Sequence, residues 1–387
     1  MTLIARLHRM IYLKLSRVIL GAFMKYVVSV VDAKGAEGIE GAVLDALRLI
    51  QWAPIHGENY LIKPNMITAK TSEQGVTTDP RIIKALARHL RESGAKPIVG
   101  DSPGNAVPGR AVEVFEKTGM LDAIRECGAE YVQFEELPPK MVDLEGGLLK
   151  SVGIARQIYG AKLINAPKLK THAQATMTGA IKNLAFGCIP GAGKAHLHSV
   201  GNTPEKFGRI IVDVYSAVRQ FVNLNVMDAV VCMDGNGPTM GRVRTVGKIL
   251  ASRDALALDM VSFNMVGIRP ESVPHIREAI GRGIGPSSLD DVEVLGELPK
   301  NVKFRLPYTI LSAMACLAGS FALSISAIPH ASPSKCTRCG TCATACPVSA
   351  ITIKDYAVVD KSKCIRCYVC HEVCEFDAML VQRRSIR

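Results

Sequence analysis

CTRCGTCATACP (336–347) and CIRCYVCHEVCE (364–375) are the stretches that decide the architecture of the C-terminal part of this chain. In both, gaps of two, two and three residues separate four cysteines, and the second stretch repeats the first after 28 residues. Two-residue gaps let three thiolates wrap around one iron–sulfur cube, while the fourth cysteine, beyond a turn, reaches the other cube. The spacing therefore predicts an α+β ferredoxin-like domain that holds two [4Fe-4S] clusters.

The eight cysteines divide into two quartets in this arrangement. One quartet is Cys336, Cys339, Cys342 and Cys374, and the other is Cys364, Cys367, Cys370 and Cys346. Structural zinc, the alternative, uses separated pairs of ligands and not tandem four-cysteine runs. Glu375 stands where the first run has Pro347, so we expect a looser turn or an altered potential at that cluster. The connector AITIKDYAVVDKSK (350–363) predicts two short strands around a turn.

The composition favours a cytoplasmic iron–sulfur protein. Eight of the 12 cysteines lie in these two runs, and such crowding serves disulfides in an oxidising compartment but metal binding in the cytosol. Basic residues break the apolar start of the chain, which argues against a secretory signal. The formal charge of +12 falls to about +8 with two clusters bound, because each carries roughly −2 with its thiolates. No basic stripe alternates with aromatic residues, so we expect no nucleic-acid partner.

Residues 26–300 alternate between short apolar runs and helical patterns. The first series of strands is YVVSVVD (26–32), NYLIKPN (59–65) and KPIVGDSPG (96–104), with helical patterns at about 38–51, 79–94 and 109–127. The second series is AKLINAPKLKTH (161–172), NVMDAVVCMDGNGP (225–238) and KILAS (248–252). Short apolar strands separated by helices predict an α/β region with a doubly wound, mostly parallel sheet.

Two other segments raise the question of membrane attachment. Residues 1–25 have the pattern of a basic amphipathic helix, which is typical of a helix at a membrane interface. The alternatives are that the segment is a poorly ordered extension, or that the protein truly starts at Met24. Residues 301–334 read as an apolar helix and a linker before the cluster domain at 335–387. The uncharged stretch 306–328 is long enough to cross a bilayer, although its Ser, Ala and Gly content favours a buried or connecting helix. Peripheral or anchored attachment at the cytoplasmic membrane is the alternative to a purely cytoplasmic protein.

Polar residues gather where the predicted strands end, at the edge where open α/β sheets bind their ligands. The candidate binding residues are Lys63, Asn65, Lys168, Lys182, Asn183 and Lys194. Ammonium groups near strand ends and helix N-termini favour phosphate or carboxylate, so we expect an anionic small molecule. The candidate catalytic residues are Lys170 and His172, with His172 moving a proton. Ordinary solvated lysines and a hydrogen-bonding histidine are the alternatives. A metal site that joins His196 and His198 to Asp234 or His172 is a further alternative.

Six motifs together resemble the domain of unknown function 362. They are LIKPN (61–65), GDSPG (100–104), PKLKTH (167–172), TGAIKNLAFG (178–187), MDGNGPTMGR (233–242) and SRDALALD (252–259). The resemblance spans residues 26–300, and that family is often joined to a two-cluster ferredoxin module, as it is here. The resemblance implies an iron–sulfur protein of the anaerobic type, with no well-established reaction.

These observations predict an electron-transfer protein and leave its reaction open. The favoured interpretation is an oxidoreductase whose α/β region binds an anionic substrate or cofactor and whose clusters exchange electrons with it or with a redox partner protein. A non-catalytic electron carrier or maturation factor that docks a partner protein is the alternative. A membrane-associated redox subunit that uses 1–25 and 306–328 is the third interpretation.

Overall fold

The computed structural model describes residues 26–33, 38–104, 110–145, 147–191, 193–311 and 328–381. The predicted helix at 1–25 and most of the apolar stretch 306–328 lie outside the described residues. The strands are β1 (Tyr26–Asp32), β2 (Asn59–Lys63), β3 (Lys96–Asp101), β4 (Glu130–Gln133), β5 (Lys140–Asp143), β6 (Ser151–Ile154), β7 (Lys162–Asn165), β8 (Lys168–His172), β9 (Thr176–Thr178), β10 (Val222–Asp234), β11 (Arg242–Ser252), β12 (Val292–Gly296), β13 (His330–Ala331), β14 (Ile351–Ile353), β15 (Ala357–Val359) and β16 (Met379–Leu380). The helices are α1 (Gly38–Leu49), α2 (Pro80–Glu92), α3 (Arg110–Lys117), α4 (Met120–Cys127), α5 (Ala180–Gly187), α6 (Gly193–Val200), α7 (Pro204–Val218), α8 (Ala255–Met265), α9 (Pro274–Gly281), α10 (Thr341–Thr344) and α11 (Val369–Glu372).

A ten-stranded sheet forms the centre of the α/β region. Its strand order is β12-β1-β11-β10-β7-β2-β3-β4, with β8 paired to β10 and β9 paired to β8. Neighbouring strands are parallel except at β11, which is antiparallel to β1 and β10, and in the β8–β9 pair. The predicted α/β class with a mostly parallel sheet is confirmed.

The alternation of side chains along each strand fills two separate cores. In β2, Tyr60 and Ile62 pack on one face of the sheet and Leu61 packs on the other. Helices α1, α2, α3 and α4 cover the face of Tyr60, whereas α5, α7, α8 and α9 cover the opposite face. A sheet buried on both faces needs apolar residues at successive positions, which is why its strands appear as continuous apolar runs in the sequence.

Three predicted elements differ in detail from the structure. The run 161–172 divides into β7 and β8 around Ala166 and Pro167, because proline has no N–H to donate to a strand ladder. KILAS (248–252) is the end of the longer β11, which runs antiparallel because the connection 235–241 is too short for a crossover helix. The helical pattern at 109–127 divides into α3 and α4 at Gly119, whose φ of 71° is left-handed.

The C-terminal module consists of two halves that follow the 28-residue repeat. Strand β13 pairs with β16, and β14 pairs with β15 around the predicted turn, all antiparallel. Equivalent residues share a left-handed backbone, with φ of 60° at Arg338 and 57° at Arg366. Strand β13 begins inside the segment that the sequence indicates as a linker. Within the described ranges, the structure has no helix that is both long and apolar enough to cross a bilayer.

Lys168 and Asp228 form an ion pair deep inside the α/β region. Lys168 Nζ lies 2.8 Å from Asp228 Oδ2, and both side chains are almost completely buried. Asp228 Oδ2 also accepts the backbone N–H of Asp79 at 2.8 Å. Removing one member of such a pair leaves the other charge uncompensated in a medium of low dielectric constant.

We predict that Asp228→Ala lowers the free energy of unfolding by about 3–5 kcal/mol, as measured by urea titration of the anaerobic holoprotein. The pair variant Lys168→Met/Asp228→Leu serves as the control, and it should cost clearly less because it leaves no lone charge. If the single variant were no less stable than the pair variant, the buried charge would not be the source of the loss.

Candidate functional site

Each cysteine quartet surrounds its own cavity in the C-terminal module. The outer cluster pocket is bordered by Cys336, Cys339, Cys342 and Cys374. The inner cluster pocket is bordered by Cys346, Cys364, Cys367 and Cys370. The two names follow from exposure, because Cys339 is exposed to solvent whereas Cys367 and Cys370 are buried. The structure therefore gathers the cysteines in the same quartets that the spacing predicts.

The thiols of both pockets fit a [4Fe-4S] cluster chemically. The fourth cysteine of each run accepts a backbone N–H, Cys346 from Ala350 at 3.2 Å and Cys374 from Ala378 at 3.3 Å. Burial raises the pKa of Cys342 to about 11, and the other three thiols of its quartet add to the shift. Thiols that face one another in this way need a positively charged metal centre to ionise together.

The turn after Cys374 keeps the geometry of its equivalent in the first run. The N–H···S hydrogen bonds at Cys346 and Cys374 have nearly equal lengths. Ser349 and Asp377, the equivalent residues of the two turns, have φ of 51° and 52°. The two turns therefore have the same backbone geometry, and the effect of Glu375 on the looseness of the turn and on the cluster potential stays a prediction.

A cavity of about 190 Å³ lies where the module meets the α/β region, and we call it the interdomain cavity. The α/β wall comes from the segments that follow β2 and β3 and from helices α5 and α6. The module wall consists of three pairs of residues that are 28 positions apart, namely Thr341 and Val369, Thr344 and Glu372, and Ala345 and Val373. The cavity therefore faces both halves of the module at equivalent places, between α10 and α11.

Two residues of the module wall also border the cluster pockets. Thr341 borders both the interdomain cavity and the outer cluster pocket. Val369, its equivalent, borders both the interdomain cavity and the inner cluster pocket. A single side chain thus separates the interdomain cavity from each cluster pocket.

Four of the six predicted binding residues line the interdomain cavity: Asn65, Lys182, Asn183 and Lys194. Lys63 lies beneath them, with its Nζ 2.8 Å from Asp101 Oδ1 and 3.2 Å from Asn183 Oδ1. Asn65 Nδ2 donates to the same Asn183 Oδ1 at 3.0 Å. Gly187 allows this packing, because a Cβ there would lie 2.0 Å from Lys63 Nζ. These contacts form one connected polar layer at the ends of β2 and β3.

The two lysines that line the cavity differ in their partners. Lys194 Nζ donates to the Ser102 hydroxyl at 2.8 Å and to the Pro103 carbonyl at 3.2 Å, and burial lowers its pKa to about 8. Among the described residues, Lys182 makes no ion pair, and its ammonium lies 5.1 Å from the ring centre of Phe186. Burial lowers the pKa of Lys182, and attraction by Glu372 opposes that shift. The Lys182 ammonium is therefore available to a ligand in the cavity.

Lys168 and Lys170 do not reach the interdomain cavity. Lys168 pairs with Asp228, and Lys170 donates to the carbonyl oxygen of Val76. Both side chains are completely buried, and burial holds the pKa of Lys170 well below its ordinary value. Their contacts give no support to the predicted binding role of Lys168 or to the predicted catalytic role of Lys170.

Glu372 of the module lies between two histidines of the α/β region. Its Oε1 is 3.0 Å from His172 Nε2, and its Oε2 is 3.9 Å from His198 Nε2. The two imidazole rings are nearly parallel, with centres 6.4 Å apart. The close pair at His172 is poorly aligned for a hydrogen bond. Glu372 and His198 line the interdomain cavity, whereas His172 lies behind Glu372.

Hydrogen bonds and burial determine the protonation of these three groups. His172 Nδ1 accepts the N–H groups of Gln174 and Ala175, both at 3.1 Å, so the proton of the neutral ring is on Nε2 and faces Glu372. Burial lowers the pKa of His172 to about 3 and that of His198 to about 4. Burial acts to raise the pKa of Glu372, but both histidines and Lys182 outweigh it and leave that pKa below its ordinary value. At neutral pH an ionised carboxylate therefore lies between two neutral imidazoles.

Further contacts hold the module against the loop that follows β10. Lys70 forms an ion pair with Asp377 and donates to the Thr239 carbonyl at 2.9 Å. The Thr239 hydroxyl donates to the His371 carbonyl at 3.2 Å, and His371 Nε2 lies 3.1 Å from the Asn236 carbonyl oxygen. The MDGNGPT motif (233–239) therefore contributes to docking of the module.

His198 lies close enough to the backbone of Cys367 for that backbone to act to raise the pKa of the histidine, so the α/β region approaches a cluster ligand of the inner pocket here. His196, its neighbour in the same motif, is exposed and lies outside the cavity lining. Among the described residues, no three His, Cys, Asp or Glu side chains are arranged to hold a single metal ion, so the alternative of a histidine metal site gains no support.

Sequence reasoning missed Glu372 and Thr178, which also line the interdomain cavity. A comparison of the two cysteine runs could have found Glu372. The first run has Ala343 and Thr344 where the second has His371 and Glu372, so two small residues are replaced by groups that ionise. Thr178 carries no comparable signal, because its role depends on which side chains surround it after folding.

The two cluster pockets on an α/β sheet define an iron–sulfur protein with a ferredoxin-type module. The 4Fe-4S binding domain matches residues 329–352 and 357–380, and this match confirms the two predicted [4Fe-4S] clusters and their role in electron transfer. The family described as Domain of unknown function (DUF362) matches residues 61–264, and the chain belongs to that family. The boundaries of the α/β region at 26–300 and of the cluster domain at 335–387 stay predictions.

The chain is also similar to a thylakoid-associated protein of Synechocystis sp., with 32% identity over 236 residues that cover 60% of this chain and 71% of that protein. A solved structure of the lactate racemase apoprotein from Thermoanaerobacterium thermosaccharolyticum matches with a TM-score of 0.42 and 13% identity over 63% of this chain and 57% of that chain. A protein from Thermotoga maritima matches with a TM-score of 0.38 and 12% identity over 56% of this chain and 55% of that chain. The match thus spans little more than half the length of each solved structure.

We predict that the quartets can be recognised from the iron content of paired cysteine variants. Cys336→Ala and Cys374→Ala should each remove one cluster, and their combination should still lose only about four irons, because both residues serve one cluster. Combining Cys336→Ala with Cys346→Ala should lose about eight. Iron analysis of anaerobically purified protein measures this, and equal losses in the two combinations would contradict the assignment.

Proposed function

We propose that this protein is an iron–sulfur oxidoreductase that exchanges electrons with a small organic anion bound in the interdomain cavity. The observation that carries the proposal is the composition of the two walls. Cationic and amide side chains of the α/β region form one wall, and the helices between the cluster-binding cysteines form the other. A ligand in this cavity lies against Thr341 and Val369, one side chain away from each cluster pocket.

The α/β wall favours an anion. Lys182 presents an ammonium group without an ion-pair partner among the described residues, and Lys194 lies in the same lining. Lys63 adds positive charge from beneath, although Asp101 offsets it at 2.8 Å. The carboxylates of Asp101 and Glu372 also line the cavity, so the ligand anion has to lie on the side of the two lysines. A charged hydrogen bond in such a water-poor cavity is stronger than a neutral one, so an ammonium group there binds a carboxylate in preference to a neutral group.

The module wall places electron transfer beside this anion. When bound, the two [4Fe-4S] clusters supply single-electron transfer between a redox partner protein and the cavity ligand. Cys339 is exposed, so the outer pocket is the side that a redox partner protein can approach. Cys367 and Cys370 are buried, and His198, which lines the cavity, lies near the Cys367 backbone.

His172 takes a positioning role in this proposal. It lies behind Glu372 with its Nε2 3.0 Å from that carboxylate, and this electrostatic contact, without an aligned hydrogen bond, positions Glu372 at the cavity wall while His172 touches no ligand. Asn183 has a similar role on the other wall, because it links Lys63, Asn65 and Asn165 through hydrogen bonds of 2.8–3.2 Å. His172 thus shapes the cavity from behind its lining, and Asn183 shapes it from within the lining.

We predict that Lys182→Met lowers the affinity for phenylacetate, a small organic anion, by roughly tenfold or more, because hydrogen bonds to charged groups contribute about 1.5–3 kcal/mol. Isothermal titration calorimetry of the anaerobic holoprotein measures the affinity, and iron content should be unchanged. Bound anion should also lower the reduction potential of the clusters in redox titrations, because its charge opposes an added electron.

Lys96→Met is the matched control, since Lys96 is exposed at the opposite edge of the sheet, at the start of β3. It should bind phenylacetate as the wild type does. If phenylacetate bound equally well to Lys182→Met, or if binding left the cluster potentials unchanged, the proposal would fail. A non-catalytic carrier that docks a protein partner through the α/β region would then be the better account.

A further inference from the structure

Three residues that line the interdomain cavity carry a buried polar atom without a hydrogen-bond partner among the described residues: Asn65 Oδ1, Thr178 Oγ1 and Glu372 Oε1. Glu372 Oε1 faces His172 Nε2 at 3.0 Å, whereas the atoms of Asn65 and Thr178 have no such neighbour. Asn65 is 7% exposed and Thr178 is 2% exposed, and both residues line the cavity. Buried polar groups in folded proteins are nearly always paired, with protein groups, water, an ion or a ligand. A ligand that displaces water from the cavity has to supply partners for Asn65 Oδ1 and Thr178 Oγ1.

The orientation of the Asn65 amide follows from its neighbours. Asn65 Nδ2 donates to Asn183 Oδ1 at 3.0 Å, and Lys63 Nζ donates to the same oxygen at 3.2 Å. Asn183 Nδ2 in turn donates to Asn165 Oδ1 at 2.8 Å, which excludes the flipped amide. Asn65 Oδ1 is thus an acceptor, and an ionised carboxylate cannot satisfy it because a carboxylate has no proton to donate.

Thr178 lies at the end of β9, directly before α5. Its hydroxyl can rotate, so it donates to a ligand oxygen or accepts from a ligand N–H or O–H. The first N–H groups of α5 are already occupied, since Ala180 and Ile181 donate to the carboxylate of Asp259 at 2.5 and 3.0 Å. The backbone N–H groups at the helix N-terminus therefore do not bind the anion, and that role falls to the side chain of Lys182 in the first turn of the helix.

Apolar side chains line another part of the cavity. Phe186 and Met66 contribute from the α/β region, and Val369, Val373 and Ala345 contribute from the module. A ligand that binds its charged end at Lys182 extends its other end toward this apolar surface. An apolar part of the ligand that lies against Val369 is thus beside the inner cluster pocket.

We propose that the interdomain cavity binds a carboxylate that carries a hydroxyl or amino group beside the charge and an apolar body. The carboxylate contacts Lys182, the hydroxyl or amino group donates to Asn65 Oδ1, and Thr178 Oγ1 completes the hydrogen bonding. The apolar body lies between α10 and α11, against Val369. This inference rests on the proposed function and names the substrate class of the same site.

Mandelate and phenylacetate test the inference directly, because they differ only in the hydroxyl beside the carboxylate. Isothermal titration calorimetry of the anaerobic holoprotein should show that one enantiomer of mandelate binds roughly threefold to tenfold more tightly than phenylacetate, as expected for a satisfied hydrogen bond. Mandelamide, which lacks the charge, and glycolate, which lacks the apolar body, should both bind more weakly than mandelate.

Variants of the two unpaired atoms should remove the preference for mandelate. Thr178→Val deletes the hydroxyl with little change of shape, and Asn65→Leu deletes the acceptor. Thr68→Val is the matched control, because Thr68 Oγ1 is also buried and unpaired among the described residues but Thr68 does not line the cavity. Thr68→Val should keep the full preference, and iron content should be unchanged in all three variants.

The outcomes separate this inference from the proposed function. If wild-type protein bound mandelate and phenylacetate equally, or if both cavity variants kept the preference, the inference would be overturned while the anion site stood. If neither compound bound wild-type protein, the anion site and the inference would both be overturned. Loss of the preference in Thr178→Val and Asn65→Leu, with retention in Thr68→Val, would establish the inference.

Discussion

The carboxylate of Glu372, placed between His172 and His198, is the contact on which the rest of the site depends. It belongs to the cluster module and enters the α/β region at the carboxyl-terminal edge of its sheet. A carboxylate that is removed from water needs partners, so the module is stable in the position where these histidines and Lys182 face it. Docking in this position turns α10 and α11 into a wall of the interdomain cavity.

This docking joins a nearly symmetric module to an asymmetric domain. The repeat supplies equivalent residues on the two sides of the cavity, such as Thr341 and Val369, so the cavity lies beside both cluster pockets. The symmetry is broken at Glu372, which occupies the position equivalent to Thr344. On that side of the module, His198 lies near the Cys367 backbone. One side of the module is therefore exposed to solvent and the other is connected to the α/β region.

The sequence predicts best what depends on local spacing. The cysteine quartets follow from gaps within a few residues, and the mostly parallel sheet follows from continuous apolar runs. Lys182 and Asn183 reach the cavity because residues at strand ends converge on one edge of such a sheet. The sequence could not indicate that Lys168 is neutralised by Asp228, 60 residues away. The partners of Glu372 were equally hidden, since both histidines lie more than 170 residues away along the chain.

The central claim is that the module is docked with its inner cluster pocket against His198. Hyperfine sublevel correlation spectroscopy of the reduced holoprotein, prepared with ¹⁵N-labelled histidine, measures this contact directly. The account predicts a nitrogen coupling to the cluster spin that disappears in His198→Phe and persists in His196→Phe, since His196 is exposed. A spectrum that is unchanged by His198→Phe would contradict the docking, and with it the interdomain cavity as the site of electron exchange.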